Sequence, residues 1–141
     1  MKRQHILKII QKENPLLETN SKVVKGLLDF FGGEALLKTE VKDLITFLKP
    51  NRLFNKIEIT GDSAYDCVQQ LLIKHPLVSE AKGSIRYYHI PKIDWNDIEK
   101  AESKIGDAFA MDIYDWEPDA FSVFKAQSKT YKLHILLSLG L

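Results

Sequence analysis

The sequence predicts an α+β protein: an N-terminal three-helix segment followed by a mostly antiparallel sheet of about five strands with two helices. Three observations carry this reading. Apolar residues in the first third recur at helical spacing. The period shortens to two at Leu53. From Phe109 onward, alternating stretches are separated by short turns.

Ile6, Leu7, Ile9 and Ile10 form the apolar side of a first helix, which Asn14-Pro15 ends because proline pushes its predecessor out of helical geometry. Asn20 or Ser21 caps a second helix, with Val23, Val24, Leu27, Leu28 and Phe31 at helical spacing and Gly32-Gly33 as its stop. Leu37, Val41, Leu44, Ile45 and Leu48 mark a third helix, closed by Pro50-Asn51. Leu53 to Thr60 then reads as a strand with Ile57 and Ile59 on one face. Gly61-Asp62-Ser63 supplies a turn and a cap for a helix that carries Tyr65, Val68, Leu71 and Leu72 and stops near His75-Pro76. Ser84 to Ile90 reads as a strand. Asp94 caps a helix whose buried stripe is Trp95, Ile98, Ala101 and Ile105. Residues 109–114, 121–125 and 131–138 alternate as three strands joined by turns at Glu117-Pro118-Asp119 and Gln127-Ser128-Lys129, which predicts an antiparallel meander. Residues 1–50 are expected as a helical segment and 51–141 as an α+β domain, packed as one unit.

Composition narrows the class. With 45% hydrophobic residues the 141-residue chain has the material for one core, which excludes a disordered protein. Cys67 is the one cysteine, so no intramolecular disulfide can form, and a reduced, cytoplasmic setting is expected. The apolar run after Met1-Lys2-Arg3 is broken by Lys8 and Lys12, unlike a signal-peptide core, and no membrane association is expected. The net charge of +1 hides an asymmetry. Residues 1–56 hold 11 Lys/Arg against 6 Asp/Glu, residues 57–141 hold 9 against 13, and residues 94–119 hold nine acids against Lys100 and Lys104.

No two histidines lie closer than 14 positions and no Cys-x-x-Cys occurs, so no zinc motif is present. Cys67 and His75 are two helical turns apart; a buried small side chain and a helix-end histidine account for them. His89, after Tyr87-Tyr88 at a strand end, is of a type able to serve as general base, and the structural reading is a half-exposed strand residue. His134 reads as outward and solvated. Asp112, Asp119 and Lys125 resemble a metal-dependent nuclease pattern only superficially, because Val123 stands where its second acid is needed. Phosphate-binding glycine loops and the Gly-x-Ser-x-Gly elbow are absent. Nothing in this pattern calls for a cofactor or a metal.

The sharpest lead is Asp112-Ile113-Tyr114-Asp115-Trp116-Glu117-Pro118-Asp119. Aromatic side chains ringed by carboxylates make a protein-binding surface that steers a basic partner. The expectation is a non-enzymatic interaction protein, an immunity-type stoichiometric inhibitor of a basic protein such as a nuclease toxin. Its contacts would be Asp112, Tyr114, Asp115, Trp116, Glu117 and Asp119. The alternatives are a nucleic-acid-associated regulator using Lys2, Arg3, Lys8, Lys22 and Lys25, disfavoured by a third helix without arginine, and a small enzyme using His89 with a neighbouring carboxylate.

Overall fold

The structure is a computed structural model and describes residues 2–32, 41–48, 52–108 and 119–140. Chain order is α1 (Arg3–Glu13), α2 (Lys22–Gly32), α3 (Val41–Phe47), β1 (Arg52–Gly61), α4 (Ala64–Lys74), a 3₁₀ turn (Pro76–Glu80), β2 (Gly83–Ile90), α5 (Trp95–Ala108), β3 (Asp119–Lys125) and β4 (Tyr131–Gly140). The fold is α+β. Several helix starts are set as the sequence implies. Ser21 Oγ accepts from Val24 N at 3.2 Å, Ser63 Oγ from Asp66 N at 2.9 Å, and Asp94 Oδ1 from Asn96 N at 3.1 Å.

Among the described residues four strands lie in the order β1-β4-β2-β3. β4 pairs antiparallel with both β1 and β2, whereas β3 runs parallel to β2. The sheet is therefore mixed, which corrects the expectation of a mostly antiparallel sheet ending in a meander. β3 and β4 are joined by only five residues, 126–130, yet β2 lies between them. The reason is burial. β2 is buried from Gly83 to Tyr88 and again at Ile90, and β4 from Leu133 to Ser138, so both strands need cover on both faces and take the middle of the sheet. The strand expected at 109–114 and the start of the expected third helix at Leu37 lie outside the described residues.

Helices cover both faces. On one, Ala64, Cys67, Val68 and Leu71 of α4 and Ile98, Ala101 and Ile105 of α5 pack on Ile59, Tyr88, Val123, Leu133, Ile135 and Leu137. On the other, Ile6 and Ile10 of α1, Val23, Val24, Leu27, Leu28, Phe30 and Phe31 of α2, and Leu44 and Phe47 of α3 pack on Ile85, Tyr87, Phe124 and Leu136. Gly26 lets α2 sit close to β4: a methyl group there would stand 2.6 Å from Leu136 Cδ2. Trp95, expected in the buried stripe of α5, is instead 49% exposed at the first position of the helix. Among the described residues, no helix is long and apolar enough to cross a membrane.

Candidate functional site

The strand period brings Tyr87 and His89 of β2 to the face covered by α1–α3. Register does the rest. His134 of β4 lies directly opposite Tyr87, and the two rings stack at 4.3 Å and 5°. His89 meets His134 edge to face at 4.9 Å and Phe124 of β3 at 5.4 Å. Glu58 of β1 is the other cross-strand neighbour of His134. Its Oε2 stands 3.8 Å from His134 Nδ1, too far for a hydrogen bond, while its Oε1 pairs with Lys132 Nζ at 3.0 Å. Among the described residues, both ring nitrogens of His134 are buried without a hydrogen-bond partner. The Tyr87 hydroxyl is buried without a hydrogen bond of standard geometry, although the Asp29 carboxylate is near enough to act on it.

The electrostatics follow from burial. Desolvation, opposed by Glu58, pushes the His134 imidazole down to about 4, and it also lowers His89 against the pull of Asp29. Burial first, then Asp29 and Glu58, drive the Tyr87 phenol up. Lys132 first, with help from His134, holds Glu58 below its ordinary value. At neutral pH the cluster therefore presents neutral imidazoles. His89 reaches an open cleft of about 430 Å³ shared with Arg3, Leu28, Asp29, Gly32 and Phe124. A neutral imidazole there can accept a proton or a hydrogen bond from whatever enters.

His134 is 7% exposed, which corrects the expectation of a solvated outward residue. The alternation on β4 is real, but helices cover both faces. A signal existed: one histidine inside the unbroken run Leu133-His134-Ile135-Leu136-Leu137 marks a polar residue on a central strand.

The opposite face holds a second polar cluster. Arg86 of β2, 3% exposed, meets Glu102 of α5 through two nitrogens, Nε to Oε2 at 2.9 Å and Nη2 to Oε1. Tyr88 Oη donates to Glu102 Oε2 at 2.5 Å, and Arg86 Nη1 to Ser84 Oγ at 2.5 Å. Beside this cluster a groove of about 540 Å³ is walled by α5 and β3, with Trp95, Ile98, Glu99, Ser103 and Phe121 along it.

The described acids of residues 94–119 are mostly committed. Asp94 caps α5, Asp97 accepts from Ala64 N and Tyr65 N at the start of α4, and Glu102 holds Arg86. Asp112, Tyr114, Asp115, Trp116 and Glu117 lie outside the described residues. Asp119 opens β3 opposite Ser84. Cys67 is buried, its thiol pushed up to about 12 by desolvation, and its Sγ lies 3.7 Å from the Tyr131 carbonyl, so it is no activated nucleophile. Lys2, Arg3, Lys8, Lys22 and Lys25 are all exposed on α1, α2 and the residue before α1. Among the described residues no group of three or more His, Cys, Asp or Glu is placed to hold a metal ion.

No family model and no curated protein matches the chain. Solved structures do. An FtsZ mutant from M. jannaschii aligns with TM-score 0.64 at 14% identity, covering 82% of this chain and 36% of that one. An empty FtsZ dimer from the same organism gives 0.61 at 14%, over 82% and 35%. A GTPγS-form TubZ protofilament from Bacillus thuringiensis serovar israelensis gives 0.51 at 12%, over 96% and 39%. The chain spans little more than a third of the length of these proteins. At such identity the likeness is one of fold.

Proposed function

We propose that the protein is a non-enzymatic interaction module whose partner docks on the α5–β3 groove. The observation that carries this reading is the groove itself: Trp95, 49% exposed, lines it together with apolar Ile98 and Phe121, and α5 and β3 are the two elements that residues 109–118 connect. An exposed tryptophan beside an apolar recess is how binding energy concentrates at a protein interface. Of the acids upstream, Asp94 and Asp97 cap helix starts and Glu102 is ion-paired with Arg86. Residues 109–119 carry Asp112, Asp115, Glu117 and Asp119 and no Lys or Arg, so the sequence joining the two elements is strongly negative. That charge selects a basic partner, and stoichiometric occlusion of a nuclease-type active site is the mode of action this supports.

The test is capture on immobilised protein, comparing wild type with Trp95→Ala and with a variant carrying Asp112, Asp115 and Asp119 as Asn. The expected result is a basic protein retained by wild type, lost by both variants, and inhibited at one-to-one stoichiometry. Equal retention by all three would remove the groove from consideration. Retained nucleic acid, released by moderate salt, would move the site to the exposed lysines of α1 and α2.

A second reading rests on the cleft of His89, where Asp29 is the neighbouring carboxylate that an acid–base site requires and His134 keeps two buried nitrogens unpartnered. It predicts that His89→Ala and Asp29→Asn abolish turnover of the cleft's ligand while leaving Trp95-dependent binding intact.

A further inference from the structure

β1 is an outer strand of the sheet, ten residues long, and among the described residues no segment pairs with its outer side. An unpaired edge of that length is a template for another strand, and proteins commonly blunt such edges with lysine. Lys56 sits mid-strand, but Glu58 follows it on the same face. Their spacing decides what the edge accepts.

We infer that β1 pairs antiparallel with β1 of a second copy of this chain, about a two-fold axis through Ile57, to join two sheets into one of eight strands. The register follows from elimination. Antiparallel pairing of identical strands by a two-fold axis places the axis on a residue, since the alternation of inward and outward backbone groups must match. Only axes at Lys56 and Ile57 use nearly the whole of β1. The first sets Lys56 against Lys56, and an axis at Glu58 sets Glu58 against Glu58, both repulsive. The axis at Ile57 sets Lys56 against Glu58 of the second copy, twice. Glu58 already holds Lys132, so each carboxylate ends between two cations.

The other face of the strand agrees. Leu53, 58% exposed, and Ile57 line a groove of about 600 Å³ in which apolar Val78 and Leu137 stand beside charged Lys74 and Glu80. In this register Ile57 meets its own copy, and Leu53 lies opposite Gly61, which has no side chain to exclude it. β1 and β3 are opposite edges of the sheet, so this contact and the α5–β3 groove are independent.

Sedimentation velocity on the whole chain tests it. Wild type is expected at twice the 16.2 kDa of one chain. Lys56→Glu and Glu58→Lys, measured separately, are expected to sediment as monomers, and an equimolar mixture of the two to regain the dimer, because each then supplies the other's missing sign. Ile57→Cys gives an independent readout under mild oxidation: a disulfide between two copies at position 57, since directly opposed strand residues sit within disulfide range and Cys67 is buried. A wild-type monomer up to the solubility limit overturns the inference. So does a dimer that both charge variants retain, or one that position 57 does not cross-link.

Discussion

Two polar clusters sit back to back across the middle of the sheet, and their contents differ in one respect. On the α4–α5 face, Arg86, Glu102, Tyr88 and Ser84 give one another hydrogen bonds, and the buried cation meets a half-buried anion. On the α1–α3 face, His134 is equally deep, yet both its nitrogens and the Tyr87 hydroxyl lack a standard partner. Burial alone therefore does not distinguish them; satisfaction does. A buried polar cluster that closes on itself rigidifies the core it sits in, whereas one left open costs free energy that the fold recovers elsewhere. The first reads as architecture. The second is where a ligand would gain most by supplying the missing partners.

The sharpest way to break this contrast is to open the closed cluster. Glu102→Ala strips the carboxylate from a buried guanidinium and is expected to cost about 3–5 kcal/mol in urea unfolding. A loss under about 1 kcal/mol would mean that water reaches Arg86 freely and that the two faces are alike.

The next effect is in pH. An unfolded chain protonates its histidine below about 6.5, while His134 in the fold stays neutral to about 4. Between those values the unfolded state binds the extra proton, so stability is full above pH 6.5 and falls as pH drops toward 4. The two and a half pH units between them correspond to about 3 kcal/mol. Glu58, Lys56, Lys132 and His89 face the same ring and move the window. The measurement is the difference in unfolding free energy between wild type and His134→Phe across that range. A difference that does not change with pH sinks the neutral-histidine account. At pH 7, His134→Phe keeps a ring stacked on Tyr87 and removes two unpartnered nitrogens, so it is expected to stabilise by about 1 kcal/mol. Comparable in size is Ser63→Ala, which removes the α4 cap on the closed side and is expected to cost about 1 kcal/mol.

Local chemistry was legible in the sequence and long-range order was not. Ser21, Ser63 and Asp94 were readable as caps because a cap depends on its next three residues. The face shared by Ile57 and Ile59 needed only the period of two. Strand order depends instead on which strands need two covers, and the five-residue link before Tyr131 pointed to a hairpin with β3. The contrary signal lay in the unbroken apolar run of β4 and in Tyr87-Tyr88, where successive large side chains go to opposite faces and both are buried. The same oversight hid the histidine cluster, since Tyr87, His134 and Glu58 become neighbours only once β4 lies between β1 and β2. The pairing of Arg86 with Glu102, sixteen positions apart on different elements, had no local signature at all.

The position of β4 has one more consequence. It is the last of the described strands in chain order and the one that both β1 and β2 pair with. As the polypeptide leaves the ribosome, β1 and β2 emerge long before the strand that bridges them. At about 5–20 residues per second, the interval between the end of β1 at Gly61 and the end of β4 at Gly140 is on the order of ten seconds. Through that interval the sheet has a gap at its centre, and a nascent chain halted before residue 131 holds two strands that cannot reach each other.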